Sequence, residues 1–299
     1  MTIILQNSRQ KHCIPQCAVA SIRKGKSDVI WDNPQRFNLC SISKFITALL
    51  VLKAIQDGHA ALNTPVKRIL PIFSNPAITL HQLLTHTSGI KDNPYFDGHL
   101  RASDERILSI SAPFEPGTFN YSDQGYMILQ IILEKCYHLG FEEIASASLF
   151  EPLHLRSMAY INHPDDLNDK EYIRGTHPDL SLVDQDLTIY PFPAASGLWC
   201  TLADFTLFIQ ALLKGWHNEG SFPIQASFLR QLGFQPSAEG VLRKPPREVW
   251  KYPVSAGVKA SNPCLPSIQR PRMRLSSSPI TTQASINGMA FAVTFIMTG

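Results

Sequence analysis

A serine and a lysine three residues apart, Ser41 and Lys44, head the stretch Phe37-Asn38-Leu39-Cys40-Ser41-Ile42-Ser43-Lys44-Phe45-Ile46-Thr47-Ala48-Leu49-Leu50. On a helix, residues three apart share a face and are separated by a rise of roughly 4.5 Å. Hydroxyl and amine can then meet without a loop to join them. A serine hydroxyl is a weak nucleophile at neutral pH until a neighbouring base takes its proton. A lysine becomes such a base when desolvation or nearby positive charge lowers its pKa. The first turn of a helix adds unpaired backbone N–H groups, which favour a developing oxyanion. The pair therefore points to nucleophilic acyl chemistry. By spacing alone it also reads as an N-cap serine followed, one turn on, by an exposed lysine.

Context separates Ser41 from the other copies of the pattern. Ser8 and Lys11 lie in a polar segment without periodicity. Ser21 and Lys24 lie in the strand-like stretch that starts at Cys17 and runs into Gly25, where positions three apart face opposite sides. At Ser41 an apolar run with near-helical spacing follows, through Phe45, Leu49, Leu52 and Ile55, until Gln56-Asp57-Gly58 stops it. Two other residues compete for a chemical role. Cys40 is a rival nucleophile that lacks a base and reads as a packing residue. His86 is either a general base or, as its tight polar turn predicts, a partner for the backbone.

The elements that must position these groups can be read in order. Gln16–Arg23, Gly25 and Ser27–Trp31 form a β-hairpin pattern. Ile78-Thr79-Leu80-His81-Gln82-Leu83-Leu84 predicts a capped short helix, and Thr85-His86-Thr87-Ser88-Gly89 a polar turn ended by glycine. Pro116-Gly117-Thr118-Phe119-Asn120-Tyr121-Ser122-Asp123 is a turn that delivers Tyr121 and Asp123 to the head of another helix, continuing through Met127, Leu129, Ile131 and Ile132. Ala194–Phe205 leads into a further helix, with Gly215 expected to close it. The apolar run Gly288–Met297 predicts a strand.

Composition narrows the function classes. With 299 residues, 44% hydrophobic and 17% charged, the chain can bury a large core. No apolar run approaches a membrane span, since Lys53 interrupts Leu49–Leu52. The N-terminal Met1–Ser8 lacks the basic start and length of a secretory signal, so a cytoplasmic location is expected. Six cysteines are scattered without metal-ligand spacing and read as reduced core residues; no metal or organic cofactor is called for. Arg230 to Arg274 carries nine Lys or Arg against Glu239 and Glu248, among many prolines. That reads as a solvated surface, and no motif points to nucleic acid.

Taken together, five blocks resemble the serine β-lactamase and penicillin-binding protein superfamily, in its class C-like branch with D-alanyl carboxypeptidases and esterases. They are Ile14-Pro15, Ser41-Ile42-Ser43-Lys44, Leu83-Leu84-Thr85-His86-Thr87-Ser88-Gly89, Pro116-Gly117-Thr118 with Tyr121-Ser122-Asp123, and Ser196-Gly197-Leu198-Trp199-Cys200-Thr201. The resemblance implies an α/β (α+β) fold of the β-lactamase/transpeptidase kind: an antiparallel sheet flanked by helices, plus a mostly helical lobe. One domain over 1–299 is expected, with an α/β lobe at about 1–60 and 190–299 and a helical lobe at about 61–189.

The resemblance also implies roles. Ser41 would form an acyl-enzyme, Lys44 would accept its proton, and Tyr121 would relay protons to the leaving group and from water. The substrate would be a small-molecule or peptide amide or ester; a membrane partner is not expected, and the oligomeric state is left open. Tyr160-Ile161-Asn162 fits the family's Tyr-x-Asn pattern more literally than Tyr121-Ser122-Asp123 but lacks the Pro-Gly-Thr lead-in. Two departures stand out. Asp123 occupies the asparagine position, where an ionised carboxylate only accepts hydrogen bonds and holds a nearby amine protonated. The family's Lys/His-Ser/Thr-Gly triplet is not recognisable; its nearest match, Ser255-Ala256-Gly257, lacks the basic residue. Ser261–Ser285 does not read as a sheet-lining strand, and a truncated, diverged or frame-altered C-terminal part is expected. A catalytically impaired relative that binds a ligand or partner is the alternative to a working hydrolase.

Overall fold

The protein is described by a computed structural model that covers residues 16–23, 25–92, 103–110, 112–161, 163–168, 170–175, 181–182, 192–232, 280–286 and 289–295. Strand β1 (Gln16–Arg23) turns at Gly25, whose φ is +75°, into β2 (Lys26–Trp31), as the alternating pattern predicts. The two pair antiparallel, with Ala20 opposite Val29. A second hairpin joins them: β6 (Ile280–Ile286) runs antiparallel to β7 (Met289–Phe295). The sheet order is β2-β1-β7-β6, and β1 and β7 run parallel, Ala18 beside Phe291. The hairpins are antiparallel as expected, and the seam between them is the one parallel pair in this sheet.

Ser261–Ser285 does not read as a sheet-lining strand, yet its last residues, from Ile280, belong to β6; residues 261–279 lie outside the described residues. Ile280, Thr281, Thr282 and Ile286 are β-branched, which suits a pleated surface. Ile286 pairs with Met289, and the sequence between them is Asn287-Gly288, the dipeptide most favoured in two-residue hairpins. The preceding run of Ser, Pro and Arg obscured that signal.

The helix after Ser41, α1 (Ser43–Gln56), is the centre of the molecule. Ile46, Leu50 and Leu52 are fully buried, and apolar residues point in every direction around it, the pattern of a core helix rather than a half-exposed one. It packs against α3 (Asp123–Tyr137), against the four-residue turn of helix α4 (Pro193–Ser196), and against Ala226–Leu229. The short α2 (Leu80–Leu84) packs on α3 and begins with a capping box: Thr79 Oγ1 accepts from Gln82 N–H while Gln82 Oε1 accepts from Thr79 N–H. A small three-stranded sheet, β3 (Phe37–Asn38), β5 (Leu198–Cys200) and β4 (Ala159–Tyr160) in that spatial order, ties the approach to Ser41 to the segment after α4.

From Thr201, whose side chain caps the next helix by accepting from Asp204 N–H, α5 (Leu202–Trp216) ends one residue after Gly215. A Cβ on Gly215 would lie 2.4 Å from Cβ of Phe222, so this glycine also serves close packing. One hydrophobic cluster runs from Ala18 in β1 through α1, α3 and β5 to Leu229.

Candidate active site

Ser41 sits in a turn of 3-10 helix, Cys40–Ile42, between β3 and α1. The turn is fixed from both sides. Cys40 takes a positive φ of 48°, and its N–H is held by Asn38 Oδ1 at 2.7 Å. Ser43 Oγ donates to Cys40 O at 2.5 Å and accepts from Leu198 N–H at 3.0 Å, locking the turn to β5. Ser41 is therefore not a helix N-cap, and Lys44 is not an exposed surface lysine: it is only 5% exposed. That alternative fails because the end of α1 is roofed by α4.

The α4 turn is too short to satisfy its own carbonyls, so they accept from α1. Thr47 Oγ1 donates to Ala194 O at 2.7 Å, and Lys44 Nζ donates to Ala195 O at 2.8 Å. Gly197 lets α4 end tightly, since a Cβ there would meet Pro193 Cα at 2.7 Å. The polar residues Ser43, Lys44 and Thr47 at the start of α1 are thus buried and partnered.

Around Ser41 the expected groups converge. Lys44 Nζ lies 3.4 Å from Ser41 Oγ, and the Tyr121 hydroxyl donates to the same oxygen at 2.9 Å. Asp123 Oδ1 is 2.6 Å from Lys44 Nζ. Nζ also lies 4.9 Å from the centre of the Tyr121 ring and 5.7 Å from that of Tyr126, within cation–π range. Tyr121 is 43% exposed, so the cluster opens to solvent on its side.

The electrostatics follow from burial and this one ion pair. Burial disfavours charge on Lys44, but Asp123, followed by Tyr121, outweighs it and raises the amine above the ordinary lysine value. Desolvation pushes the Tyr121 phenol up against the pull of Lys44. In the resting site both groups carry their protons. The Cys40 thiol is pushed up to about 12 by burial, against the pull of Lys44, and faces Asn38 O at 3.7 Å. It is a packing residue and no rival nucleophile.

His86 is the neutral backbone partner that its turn predicts. It is 2% exposed, adopts φ 57°, and its Nδ1 accepts from Ser122 N–H at 3.1 Å. Burial first and Lys44 second push its pKa down to about 3, which removes it as a base for Ser41 at neutral pH. Its ring stacks on Tyr121, with centroids 4.5 Å apart.

Other expectations divide. Tyr160 is buried between Phe141 and Phe150 in β4, and its partners place it in the core rather than at Ser41. Asn162, Ser255 and Gly257 lie outside the described residues, as do Ile14, Pro15 and the basic stretch beyond Leu232. Sequence reading missed Asp92. Its carboxylate accepts from Ser122 Oγ at 2.6 Å, Asp123 N–H at 2.9 Å and Gln124 N–H at 3.1 Å. Nothing in Lys91-Asp92-Asn93 signals this, because the partners lie in a distant stretch of chain. Among the described residues no group of three His, Cys, Asp or Glu side chains could hold a metal ion, and no helix is long and apolar enough to cross a membrane.

A family model described as Beta-lactamase matches residues 4–244. The chain belongs to the beta-lactamase family. Penicillin-binding protein 4* of Bacillus subtilis is 32% identical over 128 residues, covering 39% of this chain and 28% of that protein. Protein flp of Staphylococcus aureus is 25% identical over 184 residues, 52% of this chain and 37% of that protein. The chain thus spans well under half the length of these relatives. Among solved structures, a beta-lactamase/D-alanine carboxypeptidase from Pseudomonas syringae aligns with a TM-score of 0.62 at 21% identity, covering 75% of this chain and 67% of that one. An octameric penicillin-binding protein homologue from Pyrococcus abyssi aligns at 0.61 with 20% identity, covering 79% and 59%. These neighbours share the β-lactamase/transpeptidase-like fold with this beta-lactamase-family chain, in keeping with its mixed α/β architecture.

Proposed function

We propose that this chain is a serine hydrolase that cleaves an amide or ester of a small molecule or peptide through an acyl-enzyme on Ser41. The observation that carries the reading is the convergence of Lys44 Nζ at 3.4 Å and the Tyr121 hydroxyl at 2.9 Å on Ser41 Oγ. In acylation the Ser41 oxygen bonds the carbonyl carbon as its proton passes to Lys44 in its neutral form. The Ser41 N–H would be one donor to the oxyanion. The bond from that carbon to the leaving nitrogen or oxygen then breaks as the proton returns to it through Tyr121; water later attacks the acyl carbon, its proton passing back by the same route to Ser41 Oγ as the ester bond breaks and the acid leaves.

A second reading, a relative whose cleft binds without turnover, is favoured by one observation: the 2.6 Å contact of Asp123 with Lys44, which keeps the amine charged. Both readings are tested by intact mass after incubation with a fluorophosphonate and, separately, a penicillin. A covalent adduct on the wild-type protein that is absent from Ser41→Ala is the expected outcome. No adduct with either probe at any pH from neutral to alkaline would leave only the binding role.

A further inference from the structure

Two groups reach Ser41 and Lys44 from one short stretch of chain: the Tyr121 hydroxyl and the Asp123 carboxylate. Tyr121 is 43% exposed, so surrounding core does not hold its ring in place. Asp123 is the first residue of α3, and helix ends fray unless they are tied. Ser122 caps α3 by accepting from Gly125 N–H at 3.0 Å, and the segment from Thr85 to Asp92 in turn holds Ser122 and its neighbours. Asp92 accepts from Ser122 Oγ and from the N–H groups of Asp123 and Gln124, three donors on successive residues. As a carboxylate it also meets the positive end of the α3 dipole. His86 acts one residue earlier. Its Nδ1 takes the Ser122 N–H, its carbonyl takes the Asn120 N–H at 2.8 Å, and its ring lies under Tyr121. Ser122 is thus gripped by both residues, and Tyr121 and Asp123 flank it.

We propose that Asp92, acting with His86, is a positioning residue that sets where Tyr121 and Asp123 stand relative to Ser41, and through Asp123 sets the charge state of Lys44. Asp92 touches none of the reacting atoms. Its influence passes through the register of residues 121–124: releasing the three donors loosens Asp123 from Lys44. Among the described residues the titratable groups facing Lys44 are Asp123, Tyr121 and Tyr126 on or next to α3, Cys40 on its own turn, and His86 on the 85–92 segment. Of these, Asp123 is the carboxylate, so its displacement must favour the neutral amine. The catalytic meaning of the device rests on the hydrolase reading; its physical content does not.

The test follows Lys44 directly, by titration of its side-chain nitrogen in NMR of the full chain. Wild type, Asp92→Ala and Thr201→Ala are compared. Thr201→Ala removes a cap from α5, a helix as long as α3, and controls for general loss of stability. Asp92→Ala is expected to lower the Lys44 midpoint by about one pH unit or more, and to speed amide exchange at Ser122, Asp123 and Gln124. Asp92→Asn, which keeps one acceptor oxygen, should fall between it and wild type. Thr201→Ala should leave the Lys44 midpoint where it is. An Asp92→Ala midpoint equal to wild type, or an equal shift in Thr201→Ala, overturns the proposal. Because the readout needs no turnover, it stands or falls separately from Ser41 labelling.

Discussion

The Lys44 ammonium has three hydrogens and three acceptors around it: Ser41 Oγ, Ala195 O and Asp123 Oδ1. A neutral amine would give up one of these contacts, and Ser41 Oγ can best lose it because the Tyr121 hydroxyl also donates to that oxygen; it is the Asp123 carboxylate that favours the charged form. For Ser41 to be activated, that balance has to be tipped. Asp123→Asn removes the carboxylate and leaves burial as the dominant influence, which lowers the lysine pKa. The fluorophosphonate labelling rate of Ser41 at pH 7 should then rise about tenfold for each unit by which the Lys44 pKa falls. The whole pH–rate profile should move toward acid. An unchanged profile would show that Lys44 is not the group whose deprotonation limits the step. At this scale the sequence was legible where spacing is local. Ser41 and Lys44 are one turn apart, but their pattern recurs at Ser8 and Ser21 and gains meaning only beside the other family blocks, whereas Ala195 O is a backbone atom and Asp92 finds its partners only after folding.

Elements matter here for what they leave room for. Gly89 ends the turn that carries His86, at φ +77°, and a Cβ there would sit 2.3 Å from the Phe114 carbonyl oxygen. Gly58, at φ +86° after α1, has nothing within 4 Å. Both pay a backbone cost on substitution, but only Gly89 adds a collision with main chain. Gly58→Ala should cost about 1 kcal/mol and Gly89→Ala about 3 kcal/mol or more. Urea unfolding of the two variants checks this, and equal losses would mean the 85–92 segment yields easily. The turn glycines were readable as stop signals. Gly215 stands one residue before the end of its helix and has a second reason that local sequence does not show, Phe222, which lies beyond that helix. The hairpin at 280–295 was half read: β7 stood out by its apolar run, while β6 alternates Thr, Gln and Ser among its Ile and Ala residues and hides in a polar stretch.

For the molecule as a whole, His86 links the site to acid stability. Its pKa is about 3 in the folded protein, below the ordinary value of 6.5. Between those values the unfolded chain binds a proton that the folded chain refuses, so stability falls as pH drops through that window and is complete above it. The full effect is at most about 5 kcal/mol, a large share of what a typical domain has to spare. Unfolding free energies measured from pH 7 to pH 4 should decline in wild type and decline less in His86→Asn. Asparagine also tolerates a positive φ and can accept from Ser122 N–H, which keeps the comparison fair. A slope that survives the substitution would assign the acid sensitivity to other groups.

The seam between the two hairpins carries a consequence for how this chain comes together. Gln16 pairs with Met289, so β1 waits through nearly the entire chain for its inner neighbour. Until then one side of β1 offers bare N–H and C=O groups to any passing strand. Pairings this remote in sequence form slowly. In any fragment that ends before β7 that edge stays open, and self-association through β1, read by light scattering against the full chain, is the expected outcome.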